Sequence, residues 1–539
     1  MKKCLTPFLL LVVIISFGQP VQRPKLVVGI VVDQMRWDFL YRYKNRYASN
    51  GGINRLLNGG FSCENTFIPY VPTVTACGHS SIYTGSVPAI NGITGNGWWD
   101  KELNKSVYCT EDTSVQSVGA ANGVNGQMSP RNLLVTTICD ELKLTTNFKS
   151  KVIGIAIKDR GGILPAGHSA NAAYWYNSST GNWMTSTYYM KDLPQWVKNF
   201  NDRKLSDKYY QQGWNTVYPI NTYTQSTADV KSYESKTIGN GFPYDLKQYI
   251  GKDYGILPAT PYGNTLTFEM AKEALKAEGL GEDNVTDFLA ISFSSPDYIG
   301  HAYGPNSIEQ EDNFLRFDKE LGDFFDVLDA KFGKGQYLAF LSADHGVTQI
   351  PGFLKENNIP AGPVYVSKMV EDMNTLLKSK FKKEKIVIGI FNYQVVLDHH
   401  QITNSKLNEP EIREIILNYL NNQPVVSRAF EIDKLMQTTL NSKIKDMMAN
   451  GYYPKRSGDI QIIFQPQWIE AYGATGTTHG SWNPYDAHIP LLWYGWKIKP
   501  GRTNRETYMT DIAPTLAALL QIQMPSGTVG HVIEEVTAN

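Results

Sequence analysis

The chain has 539 residues, with 51 basic and 51 acidic side chains and a formal net charge of zero. A single hydrophobic core stops growing at about 250 to 300 residues, so we expect one α/β core with insertions. The balanced charge excludes a surface field of one sign that would attract nucleic acid or an anionic membrane. Any anionic ligand must therefore be bound locally.

Residues 1–18 have the pattern of a secretory signal peptide. Two lysines precede an apolar run from about Phe8 to Phe17, and Gly18 is a small residue at which cleavage is expected. The run is too short to span a membrane, and no later run reaches the ~20 apolar residues that a span requires. The mature chain, residues 19–539, keeps 49 basic against 51 acidic side chains. We expect it in the bacterial periplasm without a membrane anchor.

Five apolar runs without alternation predict strands that are buried on both faces of a parallel sheet. Four of them end in charged or titratable residues. Ligands bind beyond the carboxyl ends of the strands in open α/β sheets, so we expect the active site at that edge. The runs are KLVVGIVVD ending at Asp33, KVIGIAIKDR ending at Arg160, DFLAISFSSPD ending at Asp297, QYLAFLSADH ending at His345, and IPLLWYG at 489–495.

Helical patterns lie among the strands, at 265–280, 307–333 and 510–522. Their alternation with strands predicts an α/β fold with a mostly parallel central sheet and helices on both of its faces. Two stretches interrupt the alternation: residues 171–262 are rich in Tyr, Trp, Asn and Ser, and residues 353–470 mix apolar strands with a helix. We expect a single catalytic domain in which both stretches are inserted cap subdomains.

Four cysteines remain in the mature chain: Cys63, Cys77, Cys109 and Cys139. Export permits disulfides, for which three pairings exist, and buried free thiols are an equal alternative. No CxxC spacing occurs, which disfavours a zinc site made of four cysteines.

Three carboxylates and three imidazoles lie at or near the predicted strand ends. A single Asp at a strand end is commonly a turn or cap residue, and a lone His is commonly a hydrogen-bonded polar group. Three strand ends with Asp, two of them with His nearby, instead favour metal binding, and imidazole with carboxylate suits Zn²⁺ better than Mg²⁺ or Ca²⁺. The six residues, enough for two ions, are Asp33, Asp297, His301, Asp344, His345 and His479.

The stretch PTVTACGHSSIYTG, residues 72–85, resembles the start of a helix. Thr75 would lie among free backbone N–H groups at the positive end of the helix dipole. By itself this position favours an N-cap. Beside metal ions, the same hydroxyl would be an activated nucleophile.

Seven motifs follow one another along the chain: VVDQMR, PTVTACGHSSIYTG, NGITGNGWW, IKDRGGILPAGH, SPDYIGHAYGP, SADHG and THGSWNPYDAHIPLLWYG. Taken together, they resemble the alkaline phosphatase superfamily, and within it the zinc alkaline phosphatases of the PafA type, which use threonine as nucleophile. The resemblance extends over essentially the whole mature chain. It implies an alkaline-phosphatase-like fold, two Zn²⁺ ions, and hydrolysis of phosphate monoesters through a phosphothreonine intermediate. We also expect a monomer and no nucleic-acid partner.

The resemblance also implies roles for single residues. Thr75 matches the nucleophile, while Asn96, Lys158 and Arg160 match groups that contact the phosphoryl oxygens. Thr75 is also a metal ligand, and the other ligands form two sets: Asp297, His301 and His479 for one zinc ion, and Asp33, Asp344 and His345 for the other.

Three other functions are weighed against this one. A phosphodiesterase or nucleotide pyrophosphatase on the same scaffold would share Thr75 and both metal sites. Lys158 and Arg160 argue against it, because a monoester dianion has more nonbridging charge for them to bind than a diester. A sulfatase is disfavoured because Cys77 is followed by GHS and not by the x-P-x-R of such enzymes. A protein that only binds phosphate or metal would keep that binding when Thr75 is replaced by Ala.

Overall fold

The computed structural model describes residues 22–121, 123–471 and 473–538. The predicted signal peptide and its cleavage point at Gly18 lie outside the described residues. Within the described part of the chain, no helix combines the length and the apolar character needed to cross a membrane.

The strands alternate with helices along most of the chain. In chain order they are β1 (Leu26–Val32), β2 (Phe61–Phe67), β3 (Gly97–Asp100), β4 (Lys105–Tyr108), β5 (Ser117–Val118), β6 (Val152–Ala156), β7 (Ala172–Asn177), β8 (Asn182–Ser186), β9 (Asp287–Phe293), β10 (Tyr337–Ser342), β11 (Gly362–Val364), β12 (Val387–Phe391), β13 (Gln394–Leu397), β14 (Val426–Glu431), β15 (Ile460–Phe464), β16 (Trp468–Glu470), β17 (His488–Ile489), β18 (Leu491–Gly495) and β19 (Gly501–Tyr508).

The α-helices range from single turns to one of seven turns. In chain order they are α1 (Phe39–Arg42), α2 (Gly52–Gly59), α3 (Thr75–Thr84), α4 (Pro88–Asn91), α5 (Ile138–Thr145), α6 (Asp159–Ala166), α7 (Gln195–Asp202), α8 (Leu205–Gln212), α9 (Tyr262–Ala277), α10 (Ser295–Tyr303), α11 (Ile308–Phe332), α12 (Pro351–Glu356), α13 (Val366–Phe381), α14 (His399–Asn404), α15 (Glu409–Asn421), α16 (Ser442–Gly451), α17 (Pro484–Ala487), α18 (Ile512–Leu520) and α19 (Glu534–Thr537).

A central sheet of eleven strands dominates the described residues, in the order β17–β2–β18–β10–β1–β9–β6–β7–β8–β5, with β19 beside β2. Its middle strands, β10, β1, β9, β6 and β7, are parallel. All residues of β1, β6, β9 and β10 are buried, which agrees with the unbroken apolar runs of their sequences. The predicted α/β class with a mostly parallel central sheet is confirmed.

The run at 489–495 differs from its prediction in direction. It forms β17 and β18, and β18 is antiparallel to both β10 and β2 instead of parallel. Because β18 lies inside the sheet, it needs an apolar sequence whichever way it runs. Composition therefore predicted its burial correctly and could not predict its direction.

The two predicted insertions contain different structures. Residues 171–262 begin with β7 and β8, which extend the central sheet, and continue through α7 and α8. Residues 353–470 contain a four-stranded sheet, β12–β13–β15–β14, which shares a separate apolar core with α13 and α15. The division into one catalytic domain with two cap insertions remains a prediction.

The four cysteines of the described chain, Cys63, Cys77, Cys109 and Cys139, are buried and free. Of the two alternatives drawn from the sequence, the structure therefore contains buried thiols.

The site is positioned by the carboxyl ends of three neighbouring strands. In the register of the sheet, Val32 at the end of β1 pairs with Phe293 at the end of β9, and Val31 pairs with Ser342 at the end of β10. The residues that follow these strands therefore meet at one edge, as the sequence predicted.

Candidate active site

Thr75 is the first residue of α3 and only 1% exposed. Val74, in extended conformation, precedes the helix, so Thr75 is not the N-cap. A Cβ added to Gly78 would lie 2.4 Å from the carbonyl oxygen of Asp344, so the first turn of α3 approaches the end of β10 as closely as glycine allows. This approach leaves Thr75 Oγ1 3.4 Å from His345 Nε2.

The first group of candidate metal ligands is Asp297, His301 and His479. Asp297 and His301 lie one turn apart on α10, with His301 Nε2 3.2 Å from Asp297 Oδ1. His479 Nε2 lies 3.6 Å from the same oxygen. One ligand atom from each residue lies within 4.8 Å of the others. The structure thus brings together the three residues that the sequence assigned to one ion.

The second group is Asp33, Asp297 and His345, whose ligand atoms also lie within 4.8 Å of one another. Asp297 therefore belongs to both groups. Asp344, which the sequence assigned to the second ion, lies beside this group, with its Oδ2 3.5 Å from His345 Nε2. The same imidazole nitrogen is 3.5 Å from Asp33 Oδ1.

Backbone carbonyl groups hold the three imidazoles through Nδ1. A carbonyl oxygen can only accept a hydrogen bond, so each Nδ1 carries a proton, and Nε2 has a lone pair for a metal ion whenever the ring is neutral. The contacts are His301 with Thr477 (2.7 Å), His479 with Thr73 (2.8 Å) and His345 with Gly346 (2.9 Å).

Burial and neighbouring charges shift the pKa values of the cluster. Burial lowers the pKa of His345 and of His479, which keeps both imidazoles neutral. Burial raises the pKa of Asp297, but His301 and Lys158 outweigh it and hold that pKa well below its usual value. Burial lowers the pKa of His301, but the Asp297 carboxylate outweighs it and raises that pKa above its usual value. For Asp33, burial and the nearby carboxylates raise the pKa well above its usual value.

The donor set fits a transition-metal ion. Asp33 Oδ1 and Asp344 Oδ2 are buried and accept no well-formed hydrogen bond from the described residues, although His79 Nδ1 lies 3.3 Å from Asp344 Oδ2. Buried carboxylate oxygens without a partner are costly unless they bind a cation. Imidazole nitrogen and carboxylate oxygen are ligands that zinc prefers, and both are supplied here, by side chains of which His301 is partly exposed.

Lys158 occupies the N-cap position of α6 and is buried. Its ammonium group donates to Asp33 Oδ2 at 2.7 Å and to Asp297 Oδ2 at 2.5 Å, so it lies between the carboxylates of the second group. Burial lowers the pKa of Lys158, but the carboxylates of Asp297 and Asp33 raise it above its usual value. The side chain is therefore a fixed cation at the edge of the ligand cluster.

Asn96 contacts the start of α3, and Arg160 is the second residue of α6. Asn96 Oδ1 accepts a hydrogen bond from the backbone N–H of Ala76 at 2.9 Å, which ties it to the first turn of α3. Arg160 Nη1 donates to the hydroxyl of Tyr108 at 2.9 Å. Lys158, Arg160 and Tyr108 line a cavity of about 640 Å³ that adjoins the carboxylate cluster.

Gln34 links the carboxylates of two strands and was not singled out from the sequence. Its backbone N–H donates to Asp344 Oδ1 at 3.1 Å, and its Nε2 donates to Asp297 Oδ1 at 2.7 Å. Its φ of 64° is in the left-handed region, which is rare for a residue other than glycine and is found often at functional sites. No local sequence pattern marks this conformation.

His79 was not identified from the sequence as a catalytic or metal-binding residue. Its Nδ1 donates to the carbonyl oxygen of Thr75 at 2.9 Å, and its Nε2 lies 2.7 Å from Ser292 Oγ. It thereby connects the start of α3 to the end of β9. Its spacing of four residues from Thr75 is the signal that predicts a shared helix face.

Comparison with known proteins identifies the family. A model of the type I phosphodiesterase / nucleotide pyrophosphatase family matches residues 27–486. The alkaline phosphatase PhoV of Synechococcus elongatus is 53% identical over 523 residues, which cover 96% of this chain and 94% of that protein. The chain belongs to this family and, within it, to the alkaline phosphatases of the PafA and PhoV type.

Two further comparisons concern the same branch of the family. The alkaline phosphatase PafA of Elizabethkingia meningoseptica is 50% identical over 520 residues, covering 96% of this chain and 95% of that protein. A crystal structure of alkaline phosphatase PafA matches with a TM-score of 0.94 at 49% identity, covering 96% of this chain and 100% of that one. Membership in this alkaline phosphatase family confirms the resemblance and the fold predicted from the sequence.

Proposed function

We propose that this alkaline phosphatase hydrolyses phosphate monoesters through a phosphothreonine intermediate on Thr75. The observation that carries the proposal is the position of this hydroxyl, 3.4 Å from His345 Nε2 at the start of a buried helix. The alkaline phosphatases PhoV and PafA, at 53% and 50% identity, support the reaction class.

The proposed cofactors are two zinc ions, with Thr75 as a ligand. Bound zinc would act as a Lewis acid for the oxygens that enter and leave phosphorus and would lower the pKa of a nearby hydroxyl. The burial of the cluster, the unpartnered carboxylate oxygens and the three Nε2 lone pairs support this assignment. The proposed ligand sets are Asp297, His301 and His479 for one ion, and Asp33, Asp344 and His345 for the other.

In the proposed reaction, Thr75 Oγ1 attacks phosphorus while the bond from phosphorus to the ester oxygen breaks. The Thr75 hydroxyl proton passes through water to the departing alkoxide, which leaves as an alcohol. A water molecule then attacks phosphothreonine, which releases inorganic phosphate and restores the threonine hydroxyl. The negative charge of this loose transition state lies largely on the nonbridging oxygens, which Asn96, Lys158 and Arg160 are proposed to bind.

Diester hydrolysis is the competing proposal, since the matching family model also describes phosphodiesterases. A monoester dianion has more charge on its nonbridging oxygens than a diester, so cations beside them favour monoesters. Lys158 and Arg160 provide two such cations next to the cavity. These two side chains therefore support the monoester proposal.

A direct test compares kcat/KM of the zinc-loaded mature protein for p-nitrophenyl phosphate and bis-p-nitrophenyl phosphate. We expect a strong preference for the monoester, and a much smaller one in Arg160→Ala. A preference for the diester in the unmodified protein would make it a phosphodiesterase. Turnover of neither ester would make it a protein that only binds phosphate or metal.

We further propose that the protein acts in the periplasm as a monomer. The export pattern of residues 1–18 supports the location. Osmotic-shock fractionation should release the activity with periplasmic markers, and light scattering of the purified protein should give the mass of one mature chain. Activity in the cytoplasmic fraction, or twice that mass, would contradict the respective part of the proposal.

A further inference from the structure

Tyr108 contacts Arg160 from a separate part of the chain. Its hydroxyl oxygen accepts a hydrogen bond from Arg160 Nη1 at 2.9 Å and its proton is donated to Asp159 Oδ1 at 2.9 Å. A hydroxyl has one proton and two lone pairs, so it can serve both partners at once. Asp159 Oδ2 also accepts a hydrogen bond from Thr110 Oγ1, so both carboxylate oxygens receive hydroxyl protons.

Asp159 and Arg160 are adjacent at the start of α6, where successive side chains point in different directions. Tyr108 joins them, because the carboxylate polarises the phenol oxygen that receives the guanidinium proton. Arg160 Nε is buried and has no hydrogen-bond partner among the described residues. One Arg160 N–H group is therefore held by Tyr108, and Nε remains available for a ligand.

The hairpin of β3 and β4 that carries Tyr108 also carries Asn96. Tyr108 is paired with Gly97, the first residue of β3, and the backbone N–H of Cys109 donates to the Asn96 carbonyl oxygen at 3.1 Å. Asn96 and Arg160 lie 64 positions apart in the sequence, yet both are attached to this hairpin. Tyr108 thus connects the two residues that are proposed, with Lys158, to bind the phosphoryl oxygens.

We propose that Tyr108 is a positioning residue for phosphoryl binding. Its hydroxyl holds the Arg160 guanidinium in the orientation that presents its remaining N–H groups to the phosphoryl oxygens, at a fixed place relative to Asn96. Tyr108 acts through Arg160 and does not itself touch the reacting atoms. The inference rests on the proposed function, in which Arg160 binds those oxygens.

The test is Tyr108→Phe, which keeps the ring and its packing and removes only the hydroxyl. We expect kcat/KM for p-nitrophenyl phosphate to fall about tenfold, since the hydrogen bond that is lost involves a charged group. The inhibition constant of inorganic phosphate should rise by a similar factor. kcat/KM for bis-p-nitrophenyl phosphate should change by less than about twofold, because the diester has less nonbridging charge for Arg160 to bind.

A double-mutant cycle separates positioning from general damage. If Tyr108 acts through Arg160, adding Tyr108→Phe to Arg160→Ala should lower kcat/KM by less than about twofold. The matched control is Tyr494→Phe, which removes a hydroxyl that accepts from Arg55 Nε at 3.0 Å. Tyr494 pairs with Ala339, three residues before the end of β10 that leads to the site, so loss of its hydroxyl should leave kcat/KM within twofold.

The outcomes distinguish this inference from the proposed function. If the two substitutions lower kcat/KM independently, so that their factors multiply in the double mutant, the positioning role is overturned. It is also overturned if Tyr108→Phe leaves kcat/KM unchanged while Arg160→Ala lowers it strongly. An unchanged Arg160→Ala would instead overturn the proposed role of Arg160, on which the inference rests. Should Tyr108→Phe prove unstable, Asp159→Asn is the second variant, because it weakens the hydrogen bond that Tyr108 donates to Asp159. It should change kcat/KM and the phosphate inhibition constant in the same directions as Tyr108→Phe, by smaller factors.

Discussion

His345 and His479 stack face to face, with their ring centroids 3.5 Å apart and their planes inclined by 14°. One ring follows β10 and the other lies in the loop before β17, so the stack joins distant parts of the chain. Two imidazolium ions would repel each other at this distance, whereas neutral rings can stack. The lowered pKa of both side chains agrees with the neutral form that binds metal ions.

Replacement of His479 by Ala should reduce the bound zinc of the purified protein by about one ion per chain, because loss of a ligand nitrogen weakens a site strongly. The metal content after zinc loading and dialysis can be measured by mass spectrometry. His400→Ala, which changes an exposed histidine of α14, is the matched control and should keep the full content. Undiminished zinc in His479→Ala would rule this residue out as a ligand.

Thr75→Ala should lower kcat/KM for p-nitrophenyl phosphate by about 10³-fold or more, since the nucleophile is lost while the six Asp and His ligands remain. Thr75→Ser keeps a hydroxyl and should lose less than about tenfold. Acid quenching during turnover, followed by mass spectrometry, should detect phosphate on the peptide that contains Thr75. Full activity in Thr75→Ala would exclude covalent catalysis by this residue.

Gly78→Ala should lower both stability and activity. The new Cβ would lie 2.4 Å from the backbone oxygen of Asp344, so α3 must move away from β10 and carry Thr75 with it. We expect a loss of about 1 to 3 kcal/mol in the free energy of unfolding, and a fall of more than tenfold in kcat.

The matched control for Gly78→Ala is Gly123→Ala, because a Cβ built on Gly123 has no atom of the described residues within 4 Å apart from its own chain neighbours. Urea unfolding and steady-state kinetics measure both variants. Equal behaviour of the two would mean that the contact between α3 and the end of β10 does not require glycine.

Glu309 should make stability depend on pH. Burial raises the pKa of Glu309 to about 7, while Tyr244 donates to its Oε1 at 2.6 Å. An unfolded glutamate titrates near pH ~4.3, so the folded protein holds the extra proton between these two values. The stability that this proton contributes is complete below the unfolded pKa and is lost as the pH rises through the folded value.

Glu309→Gln cannot ionise and should therefore gain stability relative to the unmodified protein between pH 5 and pH 9, by an amount on the order of 2 kcal/mol. Chemical denaturation at several pH values measures this difference. Glu534→Gln, at an exposed position, is the control and should follow the unmodified protein. If the difference in the free energy of unfolding between Glu309→Gln and the unmodified protein stays constant across this pH range, the prediction is contradicted.

Local sequence patterns were sufficient to predict the strands whose carboxyl ends form the candidate active site. The runs before Asp33, Asp297 and Asp344 are apolar because strands buried on both faces must be, and each ends where polar side chains reach the sheet edge. Helical periodicity at 265–280 and 307–333 likewise agrees with α9 and α11. These signals lie within a few turns or strand lengths, so the sequence alone determined the fold class and the candidate ligands.

Contacts between distant residues were decided only by tertiary structure. The direction of β18, the sharing of Asp297 by both ligand groups, the bridge made by Gln34 and the contact of Tyr108 with Arg160 join positions tens to hundreds of residues apart. No local pattern encodes such contacts, because each depends on how whole elements pack and on which polar atoms that packing leaves to be paired. The sequence alone determined which side chains could carry the chemistry, and packing decided which of them meet.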